Sequence, residues 1–214
     1  MKKVLIFLVL IVLCVFVMQK GIDPLPTTSN ASPNRVGNSN ILLVNANNPL
    51  PRNYETKALI NLYEQKNSHF KLSKTSIEIN QEVYTAMGKM FSDANKDGLY
   101  GFIISSGYRS NAEQHEIYKS STRGLAAKPG QSEHETGLAF DVITMIGQDD
   151  FVNTLQYKWL VENCGNYGFI LRYPEGKESI TGLPFESWHY RYVGLPHSKT
   201  IMEEGITLEE YLNK

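Results

Sequence analysis

The chain has 214 residues, of which 42% are hydrophobic and 20% charged, a composition that excludes disordered, collagen-like and disulfide-dense scaffolds. The formal net charge is −1, and the three lysines of residues 1–20 leave 18 basic against 22 acidic residues in 21–214. A nucleic-acid-binding domain is expected to carry a basic excess, so this charge balance argues against a nucleic-acid partner.

The N-terminal segment is typical of a membrane anchor. Residues 4–18 carry no polar side chain apart from Cys14, and they follow Lys2 and Lys3. Because no cleavage site of small residues follows closely, an uncleaved anchor over residues 1–20 is favoured over a cleaved signal peptide. Positive charge before the apolar run predicts a single-pass protein of the cell membrane, with the rest of the chain outside the cytoplasm.

Residues 21–40 are predicted to be a flexible linker, since fourteen of them are Gly, Pro, Ser, Thr or Asn. Such a linker would hold the following domain a short distance from the membrane. Residues 41–214 are numerous enough for one hydrophobic core and are predicted to form a single domain.

Helix and strand patterns are mixed irregularly along this domain, which favours an α+β fold with a mainly antiparallel sheet and packed helices. Apolar spacing and capping residues predict helices over residues 55–66, 80–94, 110–120 and 150–164. Short apolar or alternating runs predict strands over residues 41–44, 100–105, 138–143, 167–171 and 188–193. The last helix is expected to turn Val152, Leu155 and Trp159 inward and to end at Gly165.

The stretch SEHETGLAFD, residues 132–141, contains the first candidate metal ligands. If residues 138–142 form a strand, its apolar residues face the core and Asp141 points the opposite way. A carboxylate on such a strand needs a partner, because an unpaired buried charge is costly. His134 and Asp141 could be two metal ligands, and the alternative is a surface histidine and a hydrogen-bonded aspartate.

The stretch ESWHYRY, residues 186–192, offers a third ligand. Alternation places His189 and Arg191 on the face opposite the aromatic residues. A set of two histidines and one aspartate leaves a fourth position open, as at catalytic rather than structural zinc sites. Glu186 could then act as general base, and the alternative is a solvated loop glutamate.

The stretch SGYRS, residues 106–110, joins a predicted strand to a helix that Ser110 caps. This turn presents Arg109 at the end of the strand, and arginine is suited to planar binding of a carboxylate. Gln114 lies on the first turn of the following helix. The alternative is an ordinary surface arginine.

Taken together, SGYRS with Gln114, then SEHETGLAFD, then ESWHYRYVG resemble the VanY-type zinc D-alanyl-D-alanine carboxypeptidases of bacterial cell walls, over about residues 41–196. The resemblance implies a hedgehog/DD-peptidase-like fold with a single catalytic domain over residues 41–214. It also implies removal of the C-terminal D-Ala from peptidoglycan stem peptides ending in D-Ala-D-Ala. The implied setting is wall remodelling or glycopeptide resistance.

By this resemblance, Zn²⁺ is bound by His134, Asp141 and His189, with Glu186 as catalytic base and Arg109 as a second catalytic residue. The implied substrate-binding residues are Ser132, Gln114, Tyr108 and Ser106. Glu133 and Glu135 are interpreted as supporting a ligand or as solvated. Three alternatives stay open: an L,D-carboxypeptidase, a D,D-dipeptidase, and a non-catalytic wall-binding module with a structural zinc.

Overall fold

The computed structural model describes residues 41–122 and 125–213. The predicted anchor and linker, residues 1–40, lie outside the described residues. Within the described ranges, no helix is long and apolar enough to cross a membrane.

The described part of the chain contains seven strands in two sheets. In chain order they are β1 (Leu59–Asn61), β2 (Lys71–Leu72), β3 (Glu78–Asn80), β4 (Ile103–Ser106), β5 (Ala139–Ile143), β6 (Phe169–Leu171) and β7 (His189–Tyr192). The larger sheet has the order β2-β4-β5-β7-β6, and β1 pairs with β3 in a separate two-stranded sheet. Only the β2–β4 pair of these described strands is parallel. The predicted α+β fold with a mainly antiparallel sheet is therefore confirmed.

The described residues form six α-helices: α1 (Gln81–Lys96), α2 (Asn111–Ser120), α3 (Leu155–Asn163), α4 (Glu178–Thr181), α5 (His197–Glu204) and α6 (Leu208–Leu212). Short 3-10 helices cover Leu62–Glu64, Glu133–Thr136, Phe151–Asn153 and Cys164–Tyr167. The predicted strands 100–105, 138–143, 167–171 and 188–193 are confirmed, and each begins one to three residues later than expected.

Helix α1 supplies much of the core, as its sequence predicts. The Asn80 side chain accepts a hydrogen bond from the Glu82 amide and caps the helix. The apolar residues at helical spacing, Val83, Met87, Met90 and Phe91, are all fully buried. Burial of each such side chain contributes about 1.5–3 kcal/mol. These side chains pack on the core-facing side of β4 and β5, so the opposite side of both strands is available for polar groups.

Two predicted elements in the first part of the domain are wrong. Residues 41–44 form no strand, and the carbonyl oxygen of Leu42 accepts a hydrogen bond from Arg191 Nη2 at 2.7 Å. Residues 55–66 form no helix, because Ala58 has a φ of 54° and the next residues pair as β1 with β3. The spacing of Leu59 and Leu62 therefore reflects a strand followed by a 3-10 turn.

The predicted helix over residues 150–164 is partly wrong. It is divided at Thr154, whose side chain accepts from the Tyr157 amide and starts α3 after a separate 3-10 turn. Trp159 is buried as expected, but Leu155 is 65% exposed and Phe151 fills the core instead. A further 3-10 turn follows α3 and ends at Gly168, whose φ of 91° suits glycine, rather than at Gly165.

Candidate metal centre and active site

The three predicted ligands are brought together by two neighbouring strands and the turn before them. Asp141 on β5 lies directly opposite His189 on β7 in the antiparallel register. His134 lies on the 3-10 turn Glu133–Thr136, which leads into β5 through Gly137. Gly137 has a φ of 69°, and a Cβ there would lie 2.9 Å from Leu59 Cδ2, so this bend requires glycine. One candidate ligand atom from each of the three residues lies within 4.8 Å of the others.

The geometry of this cluster fits a zinc ion. Asp141 Oδ1 lies 3.3 Å from His134 Nε2 and 3.1 Å from His189 Nδ1, so one nitrogen of each ring faces the carboxylate. The other nitrogens face protein acceptors, since His134 Nδ1 lies 2.6 Å from the Gly107 carbonyl oxygen and His189 Nε2 lies 3.5 Å from Glu133 Oε2. A proton on each outer nitrogen leaves the inner lone pairs available to a metal.

The two histidines differ in their pKa because different charges surround them. Burial, assisted by the charge of Arg109, lowers the pKa of His134 to about 4, so its ring is neutral near pH 7. Burial also disfavours a charged His189, but hydrogen bonds to Asp141 and Glu133 outweigh it and raise the pKa of His189 to about 9. A divalent cation bound at Nδ1 would displace the proton held there, as metal binding at protein ligands generally does.

Glu186 lies beside the ligands, as the sequence predicts. Its Oε2 is 3.7 Å from His189 Nδ1, and its side chain is largely buried. Burial raises the pKa of Glu186 to about 7, against the lowering effect of His189 and with a further rise from Asp141. A carboxyl with a pKa in this range can both accept and return a proton near neutral pH.

Arg109 is held by three neighbours. Its Nη2 lies 2.8 Å from Asp141 Oδ2, its Nε donates to Ser106 Oγ at 2.9 Å, and its Nη1 donates to Gln114 Oε1 at 3.4 Å. Gln114 is fixed in turn, because its Nε2 donates to the Ala127 carbonyl oxygen at 2.7 Å. The alternative of an ordinary surface arginine is therefore wrong.

A cavity of about 230 Å³ contains most of the predicted site. Its lining includes Arg109, Gln114, Ser132, His134, Asp141, Glu186 and His189. A second cavity of about 390 Å³ adjoins it, and the two share the lining residues Ala126, Ala127, Tyr173 and Leu183. Ser106 and Tyr108 instead line a third cavity, which also reaches Arg109 and Asp141. The structure thus places these two residues at the margin of the predicted site.

Sequence reasoning gave no role to Tyr173 and left two roles open for Glu133. The Tyr173 ring centroid lies 4.9 Å from that of His189, and this tyrosine lines both neighbouring cavities. Burial, with a further rise from Glu133, holds the pKa of Tyr173 well above its ordinary value, so its hydroxyl keeps its proton near neutral pH. Tyr173 lies two residues after the predicted strand 167–171, and a polar aromatic residue just beyond a strand end was the available signal.

The solvated interpretation of Glu133 and Glu135 is wrong. Both are buried, because residues 133–136 form a tight 3-10 turn. Glu135 Oε2 accepts from the Gly130 amide at 2.7 Å, and its Oε1 accepts from Asn111 Nδ2 at 2.9 Å. Burial opposes ionisation of Glu133, but Arg172 and Arg191 outweigh it and hold the Glu133 pKa well below its ordinary value.

Sequence comparison with known proteins identifies the same family that the motifs indicate. The model of the family VanY, D-alanyl-D-alanine carboxypeptidase, matches residues 76–195, more than half of the chain. A D-alanyl-D-alanine carboxypeptidase of Enterococcus faecium is 37% identical over 181 residues, which cover 84% of this chain and 59% of that relative. The chain therefore spans less than two thirds of the length of that relative.

Two solved structures share the fold. The LdcB LD-carboxypeptidase, whose structure is described as revealing the basis of peptidoglycan recognition, superposes with a TM-score of 0.72 and 36% identity, over 80% of this chain and 85% of that one. A mutant of VanY, a D,D-pentapeptidase from a VanB-type vancomycin resistance cassette, was solved in complex with Zn(II). It superposes with a TM-score of 0.65 and 35% identity, over 80% of this chain and 97% of that one.

Proposed function

The chain belongs to the VanY family of D-alanyl-D-alanine carboxypeptidases, and from this premise we propose that it is a zinc peptidase of the bacterial cell wall. Its substrates would be peptidoglycan stem peptides ending in D-Ala-D-Ala, from which it removes the last D-alanine. The observation that carries the proposal is the joint placement of His134, Asp141, His189 and Glu186 on one cavity.

His134, Asp141 and His189 would hold the zinc. Two imidazole nitrogens and one carboxylate are the donors that catalytic zinc sites use, with a further position left for water or substrate. Zinc, when bound in such a site, polarises the peptide carbonyl and lowers the pKa of water towards about 7. The hydrogen bonds from His134 Nδ1 and His189 Nε2 to their protein acceptors would fix the orientation of both rings towards the ion.

Glu186 would move the proton. Its carboxylate takes a proton from the attacking water molecule and gives it to the nitrogen of the departing D-alanine. After these two proton transfers the enzyme is back in its starting protonation state, and one water molecule has been used to cleave one C–N bond. The raised pKa of Glu186, about 7, suits both halves of the transfer.

Arg109, Gln114 and Ser132 would bind the free carboxylate of the peptide. A guanidinium has five N–H donors, and the described residues engage three of those of Arg109, so two remain for a ligand. Ser106 would position Arg109 through its hydrogen bond to Nε. Recognition of a terminal carboxylate restricts cleavage to the end of a peptide, which is the property of a carboxypeptidase.

A second candidate is an L,D-carboxypeptidase, favoured by the superposition with LdcB. Mass-spectrometric detection of released D-alanine would separate the candidates, using a pentapeptide stem ending in D-Ala-D-Ala, the tetrapeptide stem ending in one D-Ala, and free D-Ala-D-Ala. We expect release from the pentapeptide, abolished by a chelator and by Glu186→Gln. Preferential release from the tetrapeptide would identify the L,D-enzyme, and cleavage of the free dipeptide alone would identify a dipeptidase. Stoichiometric zinc without cleavage of any of them would favour the wall-binding module.

We also propose that the domain acts outside the cytoplasm, held at the cell membrane by residues 1–20. The support is the apolar run behind two lysines and the location of the proposed substrate in the cell wall. Membrane fractionation of cells that express the full chain, with protease added to intact protoplasts, tests this placement. A full-length chain in the cytosolic fraction would contradict it.

A further inference from the structure

Four charged side chains form a buried charge cluster behind the proposed metal site: Glu133, Arg172, Arg191 and Glu209. Arg172 connects the two carboxylates, with Nε 2.7 Å from Glu133 Oε1 and both Nη atoms on Glu209 at 2.9 and 2.6 Å. Arg191 Nη1 lies 2.8 Å from Glu133 Oε1. Two positive and two negative charges thus balance in a space from which water is excluded.

This cluster reaches the metal ligand His189 through one carboxylate oxygen. Glu133 Oε2 lies 3.5 Å from His189 Nε2, and neither atom has another hydrogen-bond partner among the described residues, although both are buried. When His189 binds a metal through Nδ1, its proton must reside on Nε2, and Glu133 Oε2 is the acceptor that faces it. The strength of Glu133 as an acceptor therefore bears on the orientation of His189 and on its donor strength.

Glu209 stands at the other end of this chain of contacts. It lies on α6, beyond the residues 76–195 that match the family model, in a part of the sequence that offered no motif. Asn45 Nδ2 donates to Glu209 Oε1 at 2.9 Å, so residues near both ends of the domain hold this carboxylate against Arg172.

We propose that Glu209 is a positioning residue for the zinc ligand His189, acting through Arg172 and Glu133. Without the Glu209 carboxylate, the positive charge of Arg172 acts on Glu133 alone, because no other acid contacts this guanidinium among the described residues. Glu133 is then drawn towards Arg172 and becomes a weaker acceptor for His189 Nε2. The inference rests on the proposed function only in requiring that His189 bind zinc.

Glu210 provides a matched control on the same helix. It carries the same charge, but its carboxylate bonds to Lys177 and to the Thr207 amide at the surface and has no contact with the buried charge cluster. A change of charge or of helix stability alone would affect both positions. A contribution to the metal site would appear at Glu209 only.

The experiment measures zinc affinity by competition with a chromogenic chelator for the full chain and for its Glu209→Gln and Glu210→Gln variants. We expect about tenfold weaker zinc binding in Glu209→Gln, the lower end of the range for groups that support metal ligands, and wild-type affinity in Glu210→Gln. The visible absorption spectrum of bound Co²⁺ should shift in Glu209→Gln, since the ligand geometry changes, and unfolding of the metal-free proteins by urea shows whether each is folded.

A folded Glu209→Gln variant with wild-type zinc affinity and Co²⁺ spectrum would overturn the inference. If Glu209→Gln does not fold, Asn45→Ala replaces it and should weaken zinc binding by about two- to threefold, because it removes only one of the hydrogen bonds that hold the Glu209 carboxylate in place. Unchanged affinity in Asn45→Ala would then overturn the inference in its turn. A wild-type protein that binds no zinc would instead refute the proposed function, so the two failures are distinguishable.

Discussion

Arg109 offers a direct test of whether the substrate must end in a free carboxylate. The perturbation is double: the C-terminal carboxylate of a D-Ala-D-Ala peptide is replaced by an amide, and Arg109 is replaced by alanine. Arg109 keeps two N–H donors beyond its bonds to Asp141, Ser106 and Gln114, and its side chain is only 20% exposed. Arg109 lines the cavity that contains the proposed metal ligands.

The magnitude follows from the hydrogen bonds at stake. Hydrogen bonds to charged groups contribute about 1.5–3 kcal/mol each, and an amide removes the charge of the acceptor. With 1.4 kcal/mol per tenfold, the amide should be cleaved about 10- to 150-fold more slowly by the wild-type protein. In Arg109→Ala the acid and amide should be cleaved at similar, much lower rates, since the discriminating partner is gone.

The assay compares kcat/KM for the acid and the amide on both proteins, at zinc concentrations that saturate each. Saturation matters because removal of Arg109 also removes a positive charge from Asp141 and so alters the metal site itself. Equal rates for acid and amide on the wild type would refute the carboxylate-binding role and favour an endopeptidase. An amide penalty that survives in Arg109→Ala would show that Arg109 contacts only the oxyanion of the transition state.

Three further predictions concern the metal, the base and the neighbouring tyrosine. Elemental analysis should find one zinc per wild-type chain and none in a variant with alanine at His134, Asp141 and His189, and stoichiometric zinc in that variant would refute the ligand assignment. Glu186→Gln should keep its zinc and its fold but lose about 10²–10⁴-fold in turnover, and near-normal turnover would remove it from the mechanism. Tyr173→Phe should lower kcat/KM about tenfold, because one hydrogen bond to the substrate is lost. The control is Tyr190→Phe, which should leave kcat/KM unchanged, since the buried hydroxyl of Tyr190 has no partner among the described residues. Equal effects of the two changes would contradict a substrate contact by Tyr173.

The placement of the two proposed strand ligands, Asp141 and His189, was predictable because their pattern is local. Alternation along 138–142 and 188–192 decides which residues share a face of a strand, and the structure confirms Asp141 and His189 on one face with Phe140 and Tyr190 on the other. The same rule fails outside the strands. Residues 133–136 form a tight turn, which buries Glu133 and Glu135 together, and no spacing in the sequence distinguishes that turn from extended chain.

The buried charge cluster was not predictable for a different reason. Arg172 and Glu209 are 37 residues apart, and their pairing depends on how α6 returns to the sheet. Likewise, the apolar spacing of residues 55–66 fits a helix, and only the pairing of β1 with β3 decides against one. Tertiary contacts of this kind override local preference, so strands of two or three residues leave little signal of their own.

The register of β5 with β7 makes zinc binding a readout of global folding. A slip of β5 by one residue against β7 would place Phe140 opposite His189 and turn Asp141 towards the core. The metal site and the core are therefore formed or lost together. A conformer that keeps the native core but separates Asp141 from His189 is strongly disfavoured. By mass action, zinc at one hundred times its dissociation constant would add about 2.7 kcal/mol to the free energy of unfolding of the whole domain. Withdrawal of the metal should thus lower the stability of the domain as a unit, and a limited metal supply would leave the domain exposed to proteolysis.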